Sequence, residues 1–324
     1  MTETVTQCDV CAAALGEAER VYVFNGFALV RCRGCGLVLT NPRPTRAEIG
    51  NYYGDGYYSY LPPDITSFKQ RIKDAVLGEL GGYPVEHWWQ GLVRPAAWFL
   101  EPHIMVIPPH VQNGRLLDAG CGAGTFLSWA VRAGWDATGL EVDPRGVEGA
   151  RAVGLNVVQG SMEDCLLPDA SFDTVVLNHT LEHCHDPNRV LAQAFRVLKP
   201  GGLIIVGVPN FDCYDNHVFG DCWSNCEAPR HLYHFNPETL TRLLEQNGFG
   251  LERLRMKKWL IPYSQNISFR FLRRKLEAEP WPQRARVTAS ARWRIHVVKK
   301  LAMVTHFWPD EKLAQMMTAY AHRL

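Results

Sequence analysis

The chain has 324 residues, 47% hydrophobic and 21% charged, which is enough apolar chain for one large domain with additions or for two smaller ones. Its 34 Lys/Arg and 33 Asp/Glu nearly cancel, which excludes a protein that binds polyanions through bulk charge. The balance is uneven: residues 251–324 hold 16 basic and 5 acidic side chains, residues 1–250 hold 18 and 28, so a basic tail follows an acidic body.

The opening MTETVTQC has no basic n-region and no apolar h-region, so no signal peptide is expected. No uncharged apolar run approaches the ~18 residues of a spanning helix. Ten cysteines in that context point to reduced thiols or metal ligands, and the expectation is a cytoplasmic globular protein. Cys8 and Cys11 are spaced C-x2-C, and Cys32 and Cys35 repeat the spacing after 20 residues. Four thiolates in two such knuckles form the soft tetrahedral set that zinc prefers, and a shell closed by four sulfurs makes the metal structural. Gly34 and Gly36 flank the second knuckle, where the chain must turn around sulfur. Between the knuckles, VYVFNGFALVRC reads as two strands around the turn Asn25-Gly26. The pattern is that of a zinc ribbon.

Residues 37–44 read as extended chain. Tyr52, Tyr53, Tyr57, Tyr58 and Tyr60 then crowd a glycine-containing stretch, either lining a substrate cleft or packing between domains. Residues 65–107 read as mainly helical, with Trp88, Trp89, Trp98 and Phe99 as interdomain anchors.

From residue 115 the pattern changes to alternating strands and helices. RLLDAGCGAGTF is a strand ending at Asp118, a loop with Gly120, Gly122 and Gly124, and a helix start. Glycines admit a ligand close to the backbone, and the helix N-terminus favours an anionic group. A second strand, ATGLEV, ends at Glu141, 23 residues after Asp118, where an acid suits ribose hydroxyls. A helix at 146–153, strands at 155–158 and 172–177, a helix at 188–198 closed by Lys199-Pro200-Gly201-Gly202, a strand at 203–208, a helix at 239–246 and a strand at 251–258 follow. This is a doubly wound α/β domain.

In this order, LLDAGCGAGTF, GLEVDP, GSMED, FDTVVLNHTLEH and VLKPGGLIIVGVPN resemble class I S-adenosylmethionine (SAM)-dependent methyltransferases over residues 111–250. CGLVLTNPRP and EAPRHLYHFNPETL resemble a subgroup with an N-terminal zinc-binding domain, whose members often methylate sugars or other small metabolites. The resemblance implies a Rossmann-like methyltransferase sheet with an N-terminal zinc ribbon and a helical C-terminal insertion. It implies SAM and structural zinc as cofactors. Asp118, Gly120 and Gly122 would hold the methionine moiety, Glu141 the ribose, and Ser161 and Met162 the adenine, with Glu163 nearby. Asn178 and His179 would sit under the sulfonium. The boundaries are 1–45 for the ribbon, 46–110 for a helical linker or cap, 111–258 for the core, and 259–324 for a basic insertion with a closing strand. That strand is expected at 316–323, although AQMMTAYAHRL looks helical by composition.

Methyl transfer to a hydroxyl needs a positioned base. His179, Glu182, His183 and His185 follow the fourth strand of the core, and His231 and His234 precede a helix cap. His231 is the preferred base, then His183, with His179 a third catalytic candidate; each also suits a structural role. Arg230 and His234 are candidate acceptor ligands, Arg230 for an anionic group or as an ordinary ion pair. Cys213, Cys222 and Cys226 are spaced too irregularly for a second metal site and read as free thiols. The acceptor is expected to be a small sugar-like or anionic molecule, and nucleic acid is not expected. The basic tail suits a solvated face, peripheral membrane association or a lid on a phosphorylated substrate. Competing readings are a zinc-ribbon RNA methyltransferase and a non-catalytic scaffold.

Overall fold

The computed structural model describes residues 1–54, 57–61, 68–83, 106–257, 268, 293 and 314–324. Trp88, Trp89, Trp98, Phe99 and nearly all of the basic segment 258–313 lie outside them. The chain forms two compact units that are discontinuous in sequence. One comprises Met1–Tyr52, Pro209–Thr239 and Met256–Met317; the other comprises Tyr53–Val208, Leu240–Arg255 and Thr318–Leu324.

In the first unit, strand β1 (Thr2–Glu3) pairs antiparallel with β5 (Arg43–Pro44). Strands β2 (Glu19–Phe24) and β3 (Phe27–Arg31) form the expected hairpin. Asn25 and Gly26 carry the positive φ angles, 50° and 84°, that such a two-residue turn demands. Strand β4 (Val38–Thr40) pairs antiparallel with β3. A far segment completes this sheet: β11 (Tyr233–His234) pairs antiparallel with β4, giving the order β11-β4-β3-β2.

The same segment supplies the ribbon's core. Phe211, Cys213, Phe219, Cys222, Trp223, Cys226 and Ala228 pack with Leu29 and Val38, while Val21, Tyr22, Phe24 and Phe27 lie against them. A hairpin held by metal alone has little apolar surface to bury, so residues 209–239 provide what the first 52 lack. The three cysteines of this segment are buried hydrophobes here, and burial pushes the Cys226 thiol up to about 12.

In the second unit, β6 (Arg115–Ala119), β7 (Asp136–Glu141), β8 (Val157–Gln159), β9 (Phe172–Asn178) and β10 (Leu198–Pro209) build the parallel part of a seven-stranded sheet. Strands β12 (Phe249–Lys257) and β13 (Met316–Arg323) complete the order β12-β13-β10-β9-β6-β7-β8. Strand order reverses at β6, so the chain ends beside it open onto a crevice. The helices start where the sequence caps them. Asp143 accepts from Arg145 N (2.9 Å) ahead of Pro144, and Asp186 accepts from Arg189 N (2.9 Å) ahead of Pro187.

Two segments show how packing overrides local preference. Lys199-Pro200-Gly201-Gly202 does not merely close a helix: β10 starts at Leu198, and the register shifts across those residues. Met316–Arg323 is a strand despite its helical composition, because its first six residues are buried. The Tyr320 hydroxyl donates to Ile107 O (3.3 Å) and accepts from Ile107 N (3.2 Å).

Trp223, fully buried against Phe211 at a ring separation of 6.1 Å, tests whether residues 209–239 stabilise the ribbon. Trp223→Ala is expected to lower unfolding free energy by about 3–5 kcal/mol in a denaturant titration.

Candidate functional site

The glycine loop after β6 is built by close approach. Gly120 and Gly122 adopt φ of 79° and 55°. A Cβ at Gly120 would stand 2.5 Å from Thr180 Oγ1, and one at Gly122 would stand 2.6 Å from Ser59 O. Thr180, which the sequence reading did not single out, donates from Oγ1 to Ala119 O at 2.9 Å and so ties the loop after β9 to the end of β6. Cys121 packs against Gly139, where a Cβ would meet its sulfur at 2.7 Å.

Glu141 ends β7. One carboxylate oxygen accepts from Gly122 N and the other from Asp143 N, both at 2.8 Å. The carboxylate keeps acceptor capacity beyond these amides, which suits ribose hydroxyls. Desolvation raises the Glu141 pKa despite these amides. Asp118 is fully buried, and desolvation, then the Glu141 charge, pushes its pKa up to about 7. Its Oδ2 and the Oδ1 of Asn178 are buried and make no hydrogen bond among the described residues. Two buried acceptors at the ends of β6 and β9 fit an ammonium group, such as that of SAM's methionine moiety. Ser161 caps the turn Met162–Asp164 by accepting from Glu163 N at 3.2 Å, and Met162 is buried as an adenine contact requires.

A tyrosine strap covers this loop. Ala123 N donates to Ser59 O at 2.7 Å. Tyr53, Tyr57 and Tyr60 stack edge to face, with centroids 5.2 and 5.3 Å apart. Arg145 lies over the Tyr60 ring at 4.5 Å and donates to Tyr53 O at 3.3 Å, itself held by Asp143 at 2.7 Å. The sequence showed the tyrosines but not their partners.

The histidines differ in what holds them. His179, at a strained φ of 56°, sets Nδ1 3.1 Å from the buried carboxylate of Glu182. His183 Nδ1 shares a proton with the Tyr53 hydroxyl at 2.9 Å. His231 and His234 belong to the ribbon unit. His231 Nδ1 lies 2.9 Å from Asn225 O, a group that only accepts, so Nδ1 carries the proton and Nε2 the lone pair. Thr40 Oγ1 donates to His231 O (2.8 Å), so it accepts from His234 Nε2 (3.4 Å). Arg230 pairs with Glu227 at 2.9 Å, the ion-pair alternative for that residue.

The four ribbon sulfurs also converge. Cys8 Sγ and Cys35 Sγ are 3.5 Å apart, as are Cys11 Sγ and Cys32 Sγ, and all four lie within 4.8 Å of one another. Zinc–sulfur bonds of about 2.3 Å in a tetrahedron separate sulfurs by about 3.8 Å, so the set fits zinc. A Cβ at Gly34 would stand 3.0 Å from Cys11 Sγ, and Gly36 turns at φ 80°. Burial pushes the Cys35 thiol up to about 11, so its thiolate form is favoured by a bound cation.

Residues 95–254 match a family model described as a methyltransferase domain. The chain carries a class I SAM-dependent methyltransferase domain. A probable SAM-dependent methyltransferase of Mycolicibacterium smegmatis is 32% identical over 166 residues, covering 50% of this chain and 63% of that protein. A malonyl-acyl-carrier-protein O-methyltransferase of Serratia marcescens is 32% identical over 130 residues, covering 40% of this chain and 50% of that protein. A SAM-dependent methyltransferase structure from Thermotoga maritima is 27% identical with a TM-score of 0.40, covering 57% of this chain and 81% of that one. The chain thus spans less than two thirds of the length of either curated relative. Among the described residues, no helix is long and apolar enough to cross a membrane.

The Asp118 environment is expected to make this methyltransferase domain's cofactor affinity depend on pH. In the free protein the neutral acid is the favoured form up to about 7, so this group's contribution to stability is greatest at low pH and is lost as the pH rises through 7. A cationic cofactor selects the carboxylate. Calorimetry from pH 5.5 to 8.5 is expected to show SAM affinity falling by up to about tenfold per unit below pH 7, and Asp118→Asn is expected to remove that slope.

Proposed function

We propose that this protein methylates a hydroxyl of a sugar, a nucleotide-linked sugar or a related small metabolite, in the cytoplasm, with zinc as a structural metal in the ribbon. When bound, SAM supplies an electrophilic methyl group on a sulfonium. The side chains that would hold it are Asp118, Asn178, Glu141, Ser161 and Met162, with the backbone of Gly120 and Gly122. His231 acts as the base: Nε2 removes the acceptor hydroxyl proton, and the ring hands that proton to water afterwards.

One observation carries the choice of base. A backbone carbonyl, Asn225 O, fixes the proton of His231 on Nδ1, so Nε2 is the nitrogen that takes a second proton, and the Glu227 carboxylate 3.9 Å from it stabilises the imidazolium that results. The other candidates are held differently. Glu182 favours the protonated form of His179, and a hydroxyl leaves the His183 tautomer open. His234 Nδ1 is the basic nitrogen of a ring whose Nε2–H points at Thr40, which suits orientation of the acceptor. Methylated oxygen in the acceptor is supported by an O-methyltransferase among the relatives, and the sugar class by the subgroup pattern of CGLVLTNPRP and EAPRHLYHFNPETL.

Two measurements test this reading. Mass spectrometry of products from isotope-labelled SAM and a panel of nucleotide sugars is expected to reveal a labelled methyl ether; SAM binding with no labelled product across the panel would sink the sugar assignment. His231→Asn is expected to slow turnover by at least about 100-fold while SAM affinity stays constant, and unchanged turnover would remove His231 as the base.

A further inference from the structure

The cysteine knuckles and the His231–His234 segment share one hydrogen-bonded frame within the ribbon unit. One thread leaves the second knuckle. Cys32 N donates to Leu37 O at 2.8 Å, and the next three residues are β4. Strand β4 then takes β11 in register, Tyr233 opposite Leu39 and His234 opposite Val38. At its end Thr40 N donates to Leu232 O (2.9 Å) and Thr40 Oγ1 to His231 O (2.8 Å).

The other thread leaves the first knuckle. Asp9, the neighbour of Cys8, accepts from the Tyr233 hydroxyl at 2.7 Å. Arg43 Nη1 donates to that hydroxyl at 3.1 Å, while Arg43 Nε pairs with Glu3 at 2.7 Å. Tyr233 is 1% exposed and Arg43 9%. A buried hydroxyl between a carboxylate and a guanidinium has one satisfactory orientation, so both knuckles fix the same two-residue strand.

We propose that the four-cysteine site is a positioning device for the His231–His234 segment, and that Tyr233 is the positioning residue connecting the two. This rests on the reading that His231 and His234 serve the acceptor, and it gives the ribbon a role beyond holding its own fold. Metal at the cysteines fixes Asp9 and β4; those fix Tyr233, Leu232 and the His231 carbonyl; and these set the two imidazoles in opposite tautomers, Nδ1–H for His231 and Nε2–H for His234.

The test uses the zinc-loaded full chain labelled with 15N-histidine. Wild type is expected to show His231 and His234 as distinct neutral tautomers near neutral pH. Tyr233→Phe is expected to retain zinc and SAM binding but to average the imidazole signals of both residues and to speed amide exchange at Leu232–His234 by about tenfold or more. Stripping zinc from wild type with a chelator is expected to do the same, with exchange in β6 unchanged. Unaltered tautomer signals in zinc-loaded Tyr233→Phe would overturn the proposal. Loss of zinc from that variant would also overturn it, because the tyrosine would then serve the knuckle and not the segment. Failure of the base assignment shows separately, as unchanged turnover in His231→Asn, and leaves these spectra interpretable.

Discussion

Two carboxylates buried at the ends of neighbouring strands set the terms for the cofactor half of this protein. Parallel pairing of β6 with β7 puts Ala119 beside Leu140, and so brings Asp118 and Glu141 to the same sheet edge. Burying one carboxylate is costly, and burying two close together costs more. The fold compensates Glu141 with two backbone amides, those of Gly122 and Asp143. Asp118 receives less, and its pKa rises to about 7. The glycine loop follows from this arrangement, because Gly122 must approach closely enough to donate to Glu141, and only glycine tolerates its φ with a carbonyl 2.6 Å from where a Cβ would stand. A ligand with positive charge and vicinal hydroxyls removes both residual costs at once.

The ribbon repeats the same physics with sulfur. Four thiols converge, and burial pushes those of Cys8 and Cys35 up, so the arrangement is favourable once a soft dication holds them as thiolates. Its apolar core is not local either. Phe211, Phe219 and Trp223 come from residues nearly 200 positions downstream, in the stretch that follows β10. Residues 209–239 therefore complete the ribbon's core and its fourth strand before the chain re-enters the second unit at Leu240.

The sheet was legible because its signals are local and repeat. Alternating apolar runs, glycine turns and Asp-Pro caps each act within a few residues, and their order alone identifies a doubly wound fold. The knuckles were legible for the same reason: spacing around a metal is short-range geometry. The discontinuity of the ribbon unit was not. The bond between Thr40 and His231 spans 191 residues and that between Tyr233 and Asp9 spans 224, and no periodicity reports such pairings. One hint was present. Residues 211–228 are rich in Phe, Trp and Cys without helical or strand period, the signature of a segment that packs on something distant.

Histidine roles marked the sharpest boundary between what sequence and structure each supply. In sequence, His179, His183, His231 and His234 are four imidazoles near predicted loop ends, with nothing to rank them but family likeness. Chemically they are separated by the atom on the far side of each ring. A carboxylate holds His179, a phenol His183, a backbone carbonyl His231 and a threonine hydroxyl His234. Those partners decide which nitrogen carries a proton and how readily the ring accepts a second, which is the property a base must have. Glu227 makes the point within one short loop. It sits at φ 40°, an unusual place for a residue with a side chain, and its carboxylate pairs with Arg230 while lying 3.9 Å from His231 Nε2. A strained backbone that places one acid beside an arginine and the basic face of an imidazole is a property of three-dimensional arrangement, and the letters EAPRH contain the participants but not the relation between them.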